Sequence, residues 1–377
     1  MTIFFDYQIF DRQHIGGISR FYCEVIPYLR KDLECVIGVK RSNNAHLKEQ
    51  DIVPKLKPLY SRNLGLLSSM NYPGKRTVNQ LLNPKFTNYK YSLRLLRRQG
   101  FDVFEPTFFD SYFLEHLKGK PFTLEVHDMI PELFPEYFPA EDFQIVKKRL
   151  LCPLAAAIRV PSMRTKEDLV NILNIDPDKI TVVHHGVPRI VVPSVEQKRP
   201  IEKPYILYVG DRWGYKNFNR ALAELAIIVQ TIPDIQLVCT GHGFHDHEKK
   251  QIADLHLTDN VRHLYATEEN FYSLYHNAVS FVFPSAYEGF GLPILEAFAC
   301  ECPVMLNNAS CFPEVGGDAA LYFDINRRGD MAEQFISLYH TSAEDRNRLV
   351  SKGKERQTLF SWEKTARQMK QIYEKLV

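Results

Sequence analysis

The sequence predicts an α/β fold, and three observations carry that prediction. Short runs rich in Ile, Val, Phe and Tyr recur along the chain. Helix-length stretches with apolar residues three and four apart lie between them, and the alternation breaks once at a proline-rich polar segment before it restarts. At 377 residues the chain has the length of two domains of ordinary size.

In the first half, strands are expected near residues 3–5, 35–39, 101–104, 122–127, 158–161 and 180–184. A helix over 18–30 follows from the apolar stripe of Ile18, Phe21, Tyr22, Val25 and Leu29. Residues 191–204 set Pro193, Pro200 and Pro204 among Ser194, Glu196, Lys198 and Arg199, a composition that favours an extended connection. Beyond it, strands are expected near 205–210, 235–241, 261–265, 279–284 and 303–306, with a helix near 218–231. A tail over 362–376, with Ala366, Met369, Ile372 and Tyr373 on one side, reads as an amphipathic helix. The expected organisation is a first domain over 1–192, a second over 200–358 and a closing helix over 359–377. Two such halves create a cleft, and ligands in these sheets bind beyond the carboxyl ends of the strands.

Composition narrows the function classes. A 45% hydrophobic and 24% charged chain with 18 Gly and 22 Pro is globular, not collagen-like or low-complexity. The longest apolar runs, near 150–158 and 279–283, are far shorter than a membrane span needs. The opening Met1–Asp6 segment has no basic-then-apolar pattern, so no secretion signal is expected. Seven cysteines without a Cys-x-x-Cys suit reduced, buried thiols and a cytoplasmic setting. The net charge of +2 conceals a basic stretch over 40–98, where Lys48, Lys55, Lys57, Arg62, Lys75, Arg76, Lys85, Lys90, Arg94 and Arg97 face only Glu49 and Asp51. It reads either as a phosphate- or anionic-membrane-binding face or as a solvated loop and helix surface. No nucleic-acid partner is expected.

The most informative constellation is Ser280-Phe-Val-Phe-Pro-Ser285 followed by Ala-Tyr-Glu288-Gly289-Phe290-Gly291-Leu292-Pro293-Ile294-Leu295-Glu296-Ala297. A buried strand runs into a glycine loop and then a helix whose Pro293 suits a first helical position. The glycines let backbone approach a ligand closely, and the helix start offers free N–H groups to an anion. Glu296, expected in the first helical turn, and Glu288 in the loop can accept hydrogen bonds from the hydroxyls of one bound sugar or ribose. Alternatively, Glu296 serves only the helix dipole.

This string resembles the E-x(7)-E segment of retaining glycosyltransferases of family 4, which have the two-domain GT-B fold. Further segments agree in order: Gly16-Gly-Ile-Ser-Arg20, His127-Asp128, His185-Gly186, Val209-Gly210 with Lys216-Asn217, and Pro313-Glu314-Val-Gly-Gly-Asp318-Ala-Ala. The resemblance implies two Rossmann-like doubly wound domains facing across a cleft.

It also implies roles. Glu296 would hold the ribose of a nucleotide and Glu288 the hydroxyls of the donor sugar. The backbone N–H groups of Phe290, Gly291 and Leu292, beside Gly289, would meet sugar or diphosphate oxygens. Lys216 would stabilise the charge that develops on a departing diphosphate. The family's preceding arginine is Tyr215 here, and Arg212 lies near enough in sequence to stand in for it. Gly16 and Gly17 would bring backbone against the donor phosphate, unless they form an ordinary strand-to-helix turn. His127, at the end of a strand, would touch the donor sugar. Glu288 and His127 are assigned positioning and electrostatic roles, since no clear nucleophile is present.

Two decoys remain. Asp176-Pro-Asp178 resembles a metal-binding Asp-x-Asp but reads as a turn. His242, His245 and His247 with Glu248 lie in a loop without a matching second cluster, so neither a metal nor another cofactor is expected. Ala299-Cys300-Glu301 and Tyr265 depart from the family's glycine-containing patterns, which bears on a local turn and on the base bound.

The expected function is transfer of a hexose, such as mannose from GDP-mannose, from a GDP- or UDP-linked nucleotide sugar to a polysaccharide or lipid-linked oligosaccharide, with the enzyme peripheral at the inner face of the cell membrane. A nucleotide-sugar epimerase or hydrolase of the same plan, and a non-catalytic scaffold binding anionic membranes or glycans, are the alternatives.

Overall fold

The computed structural model describes residues 1–53, 56–57, 84–190 and 201–377. Lys55, Arg62, Lys75 and Arg76 of the basic stretch, and positions 191–200 of the expected connection, lie outside them. The chain divides into two compact units. One comprises Met1–Pro161, Thr165–Gly186 and Trp362–Val377, the other Ser162–Arg164 and Val187–Ser361.

Among its described residues the first unit holds six parallel strands: β1 (Thr2–Phe5), β2 (Glu34–Ile37), β3 (Val103–Glu105), β4 (Thr123–Glu125), β5 (Ala157–Val160) and β6 (Ile180–Val182). Two ladders, β2-β1-β3 and β4-β5-β6, are joined by a parallel bridge between Phe104 and Phe122. The resulting order 2-1-3-4-5-6 reverses direction between β1 and β3, the switch point of a doubly wound sheet. Strands of three or four residues suffice in β1, β3, β4 and β5 because nearly every side chain in them is buried, while the edge strands β2 and β6 each expose part of their length. Helix Gly17–Leu29 presents Phe21, Tyr22, Val25, Ile26 and Leu29 to this core. The closing helix Trp362–Glu374 packs Trp362, Ala366, Met369, Ile372 and Tyr373 into the same cluster.

The second unit holds β7 (Tyr205–Tyr208), β8 (Gln236–Cys239), β9 (Val261–His263), β10 (Ser280–Phe283), β11 (Val304–Asn307) and β12 (Ala320–Phe323), all parallel. Their order is β12-β11-β10-β7-β8-β9, so the switch point falls between β7 and β10, where Ile206 and Leu207 pair with Ser280 and Phe281. The loops leaving these two strands carry Lys216 and Glu288. Helix Phe218–Thr231 has the expected bounds. All seven cysteines are buried and free. Among the described residues no helix is long and apolar enough to cross a membrane.

Candidate active site

In the second unit, the loop after β7 and the loop after β10 are laced together. Tyr215 C=O accepts from the Ala286 N–H at 2.8 Å, and the Asn217 side-chain amide donates to Pro284 C=O at 2.9 Å. Asn217 can turn the chain here because it adopts a left-handed backbone at φ 55°, a conformation asparagine tolerates. The Lys216 ammonium consequently donates to Glu288 Oε1 at 2.5 Å. Ser285 Oγ donates to the same oxygen at 2.8 Å.

The glycine loop is held from behind as well. Ser310 Oγ accepts from Glu288 N–H and donates to Glu288 C=O, Cys311 Sγ reaches the carbonyls of Glu288 and Phe290, and buried Asn307 donates to Ser285 C=O. Gly291 caps helix Leu292–Ala299 at φ 93°, in the left-handed region where a side chain is strained, and a Cβ there would lie 3.0 Å from Ile294. Pro293 occupies the second helical position.

Glu296 is displaced from its expected place. The helix begins at Leu292, so Glu296 is its fifth residue and lies in the second turn, beyond the reach of the dipole's end. Its carboxylate is buried and accepts a hydrogen bond from Tyr275 Oη at 3.1 Å. Burial beside Glu296 pushes the Tyr275 hydroxyl well above its ordinary range, so it stays a donor.

Arg212, the expected stand-in for the family's diphosphate arginine, is engaged within its own unit. Its guanidinium is committed to Glu248, at 2.7 Å, and to the carbonyls of Thr240, His242 and Gly243. It is stacked on Phe244 and Phe218. The arginine therefore ties the loop after β8 to the loop after β7. Glu248 is a partner of Arg212, and His245 is the N-cap of helix Asp246–Asp254, so the histidine loop has structural work of its own. A cavity of about 380 Å³ opens there, walled by Trp213, His242, His245 and His247. Asp176 likewise caps a 3-10 turn through the Asp178 N–H at 2.9 Å, as a turn reading expects.

In the first unit, β4 ends at Glu125, so His127 lies two residues past the strand and not at its end. Its ring packs against Phe21, Tyr22 and His185, and its buried Nε2 has no hydrogen-bond partner among the described residues. Burial drives its pKa down to about 3, so the imidazole is neutral. Glu125 Oε1 lies 4.0 Å from His185 Nε2, while its other oxygen accepts from Arg159 Nε at 2.9 Å. Arg159 also grips Glu105, which in turn accepts from Tyr373 Oη at 3.0 Å. Ligand-capable atoms of Glu125, His127 and His185 fall within 4.8 Å of one another; the Arg159 charge already serving Glu125 opposes a cation there. Gly16 lies beneath Gln13, whose Oε1 accepts from the Ser19 N–H at 2.9 Å, and Gly17 faces open space at the start of helix Gly17–Leu29.

The structure thus gathers Lys216 with Glu288, and Gly16–Gly17 with the helix that carries Phe21 to His127. Sequence reasoning gave no role to Tyr275, Ser285, Asn307 and Ser310 in one unit or to Glu125, Arg159 and His185 in the other. Of these, only Ser285 and His185 lie within quoted segments.

Comparison with known proteins adds the family. Residues 15–189 match the model described as Glycosyltransferase Family 4 and residues 194–356 the one described as Glycosyl transferases group 1. Similar sequences include O-antigen chain mannosyltransferase B of Escherichia coli, 28% identical over 71% of this chain and 73% of that protein. O-antigen chain mannosyltransferase RfbU of Salmonella typhimurium is 28% identical over 53% of this chain and 56% of its own length. MMP alpha-(1->4)-mannosyltransferase of Mycolicibacterium hassiacum is 32% identical over 62% of this chain. The chain thus spans little more than half of the second and third relatives, 56% and 57% of their lengths. Among solved structures, Anabaena Alr3699/HepE in complex with UDP and glucose aligns over all of both chains with a TM-score of 0.73 at 15% identity. A glycosyltransferase from Rickettsia africae aligns over 100% of this chain and 98% of its own with a TM-score of 0.66 at 18% identity. With two family models in register over nearly the whole sequence and two doubly wound units beneath them, the chain belongs to glycosyltransferase family 4 and is a glycosyltransferase of GT-B fold.

Proposed function

We propose that this glycosyltransferase moves a hexose, mannose from GDP-mannose in the first instance, to a polysaccharide or lipid-linked oligosaccharide, with retention of configuration and without a metal or other cofactor. The observation that carries the reading is the Lys216–Glu288 pair at the β7/β10 switch point, with buried Glu296 one helix turn further on. Lys216 meets the diphosphate, Glu288 the sugar hydroxyls and Glu296 the ribose. The N–H groups of Phe290, Gly291 and Leu292, at the start of an eight-residue helix, add fixed dipoles for the departing diphosphate. For the first unit, taken by itself, the same reading assigns a donor-sugar contact to neutral His127 and a phosphate contact to the Gly16–Gly17 turn. The bond from the anomeric carbon to the diphosphate oxygen breaks, the acceptor oxygen bonds to that carbon on the same face, and the acceptor's proton passes to a donor phosphate oxygen.

Mannose is favoured because three similar proteins are mannosyltransferases by name. A nucleotide-sugar donor is favoured because a protein of like fold was solved with UDP-glucose. Cytoplasmic placement at a membrane surface is part of the same reading, since that is where such a donor and a lipid-linked acceptor meet. Release of nucleoside diphosphate from a panel of GDP- and UDP-sugars, with acceptor glycan and in EDTA, tests it. Turnover that survives both Lys216→Ala and Glu296→Ala removes the site assignment, and inversion at the anomeric carbon in the product removes the stereochemistry.

A further inference from the structure

The cavity of about 380 Å³ in the second unit lies beside the loops that follow β7 and β8. Asp211, Trp213, His242, His245 and His247 wall it, and none of the donor contacts proposed above, Lys216, Glu288, Glu296 or the glycine loop, lines it. Trp213 is 60% exposed, although an indole has a large apolar surface and is mostly buried in folded chains.

The loop that presents this indole is clamped on both sides. The Lys216 N–H donates to Trp213 C=O at 2.8 Å, and the preceding Arg212 is fixed by Glu248 and by carbonyls of the loop after β8. Glu248 also accepts from the His245 N–H at 2.7 Å. The His245 and His247 rings stack in parallel, 5.7 Å apart, and His242 Nε2 lies 3.6 Å from Asp211 Oδ1. These histidines and Asp211 do not bring their ligand-capable atoms within 4.8 Å of one another, a convergence that among the described residues only Glu125, His127 and His185 reach, so the cavity is not shaped for a metal ion. Arg212, the cation in its wall, is already paired with Glu248, and Asp211 adds a carboxylate, so no positive field draws an anion. What the cavity offers is a flat apolar face rimmed by imidazole nitrogens and carboxylate oxygens that donate or accept hydrogen bonds. A pyranose ring carries the complement, with C–H groups on one face and hydroxyls around its edge, and the volume is that of a small-ligand site.

We propose that this cavity is a glycan-binding subsite separate from the donor's, which takes a neutral oligosaccharide with one sugar ring lying on Trp213 and its hydroxyls bonded by Asp211 and the histidines. The inference goes beyond the proposed reaction, and because its readout is binding, each can fail without the other. The full chain is titrated calorimetrically with mannotriose and with maltotriose, with and without saturating GDP and in the presence of EDTA. Tryptophan emission is followed in parallel, since the chain has two tryptophans and Trp362 is buried. Trp213→Ala and Asp211→Ala alter exposed side chains, and unchanged thermal midpoints report their folding. Trp213→Ala is expected to lose roughly tenfold or more in affinity for the trisaccharide that binds, while Trp213→Phe, which keeps a flat apolar face, retains most of it. Asp211→Ala is expected to weaken binding as well, and Lys216→Ala to leave it unchanged. Undiminished affinity in folded Trp213→Ala overturns the site, as does a parent that binds neither trisaccharide. Displacement by GDP makes the cavity part of the donor's own site, and loss of binding in EDTA makes it a metal site; either result overturns the proposal.

Discussion

The Lys216 ammonium lies 2.5 Å from Glu288 Oε1, bridging the two loops that leave the adjacent strands β7 and β10. Both side chains are largely buried, at 16% and 12% exposure, and Ser285 shares the same carboxylate oxygen. A cation and an anion are therefore fixed at the switch point before any substrate geometry is considered. Lys216→Ala is expected to lower kcat by about 10² to 10³-fold, the range for loss of one preorganised electrostatic contact. Because the two residues act as a unit, Lys216→Ala/Glu288→Gln should be no slower than about the worse single variant. Steady-state kinetics on all three variants check this, and multiplying losses would show that the two act independently.

Tyr275 should reveal itself in KM. Its hydroxyl donates to Glu296 and stays protonated, so it aims the carboxylate without contacting the transferred group. Tyr275→Phe removes one hydrogen bond worth about 0.5 to 1.5 kcal/mol, which corresponds to a few-fold to roughly tenfold rise in donor KM with kcat little changed. A fall in kcat at constant KM would place Tyr275 in the chemical step.

Arg212 should matter for folding before it matters for chemistry. Its side chain and that of Glu248 are 3% and 4% exposed, and the guanidinium also satisfies three carbonyls of one loop. Glu248→Ala leaves a buried cation unpaired and is expected to cost about 3 to 5 kcal/mol, read as a drop in urea midpoint at unchanged m-value. Arg212→Lys keeps the charge but lacks the planar fork, so it should also lower stability, by less than Glu248→Ala does.

The limits of the sequence reading follow the range of the interactions. Helix Phe218–Thr231 and the strand, glycine loop and helix around Glu288 were legible because periodicity and glycine placement are local signals. Strands were read one or two residues too long at several carboxyl ends, since Val126 and Val209 remain apolar after the ladder stops. Strand β12 went unread because Ala320–Phe323 is short and follows directly on a glycine-rich motif. The Arg212–Glu248 pair was not legible, because its partners are 36 residues apart and nothing in the intervening sequence marks Glu248 as facing Arg212. Lys216 and Glu288, 72 residues apart, were each found through a motif. Their pairing needed the sheet order.

The pH dependence of stability should expose Glu125. Burial raises its pKa from the ordinary 4.5 to about 7, against the opposing pull of Arg159, while Glu105 adds to the rise. His185 faces its second oxygen. Between pH 4.5 and about 7 the folded chain keeps a proton that the unfolded chain has released, so this contribution to stability is complete below pH 4.5 and fades as pH rises through 7. His127 works in the opposite sense: its folded pKa of about 3 against an ordinary 6.5 costs stability as pH falls through that window. Glu125→Gln removes the first term and keeps the second. The variant's thermal midpoint should therefore climb more steeply than the parent's between about pH 5 and pH 7, so that the difference between them moves in the variant's favour as pH rises. Parallel midpoint curves for the two proteins would mean that Glu125 is ionised throughout, with Arg159 outweighing burial.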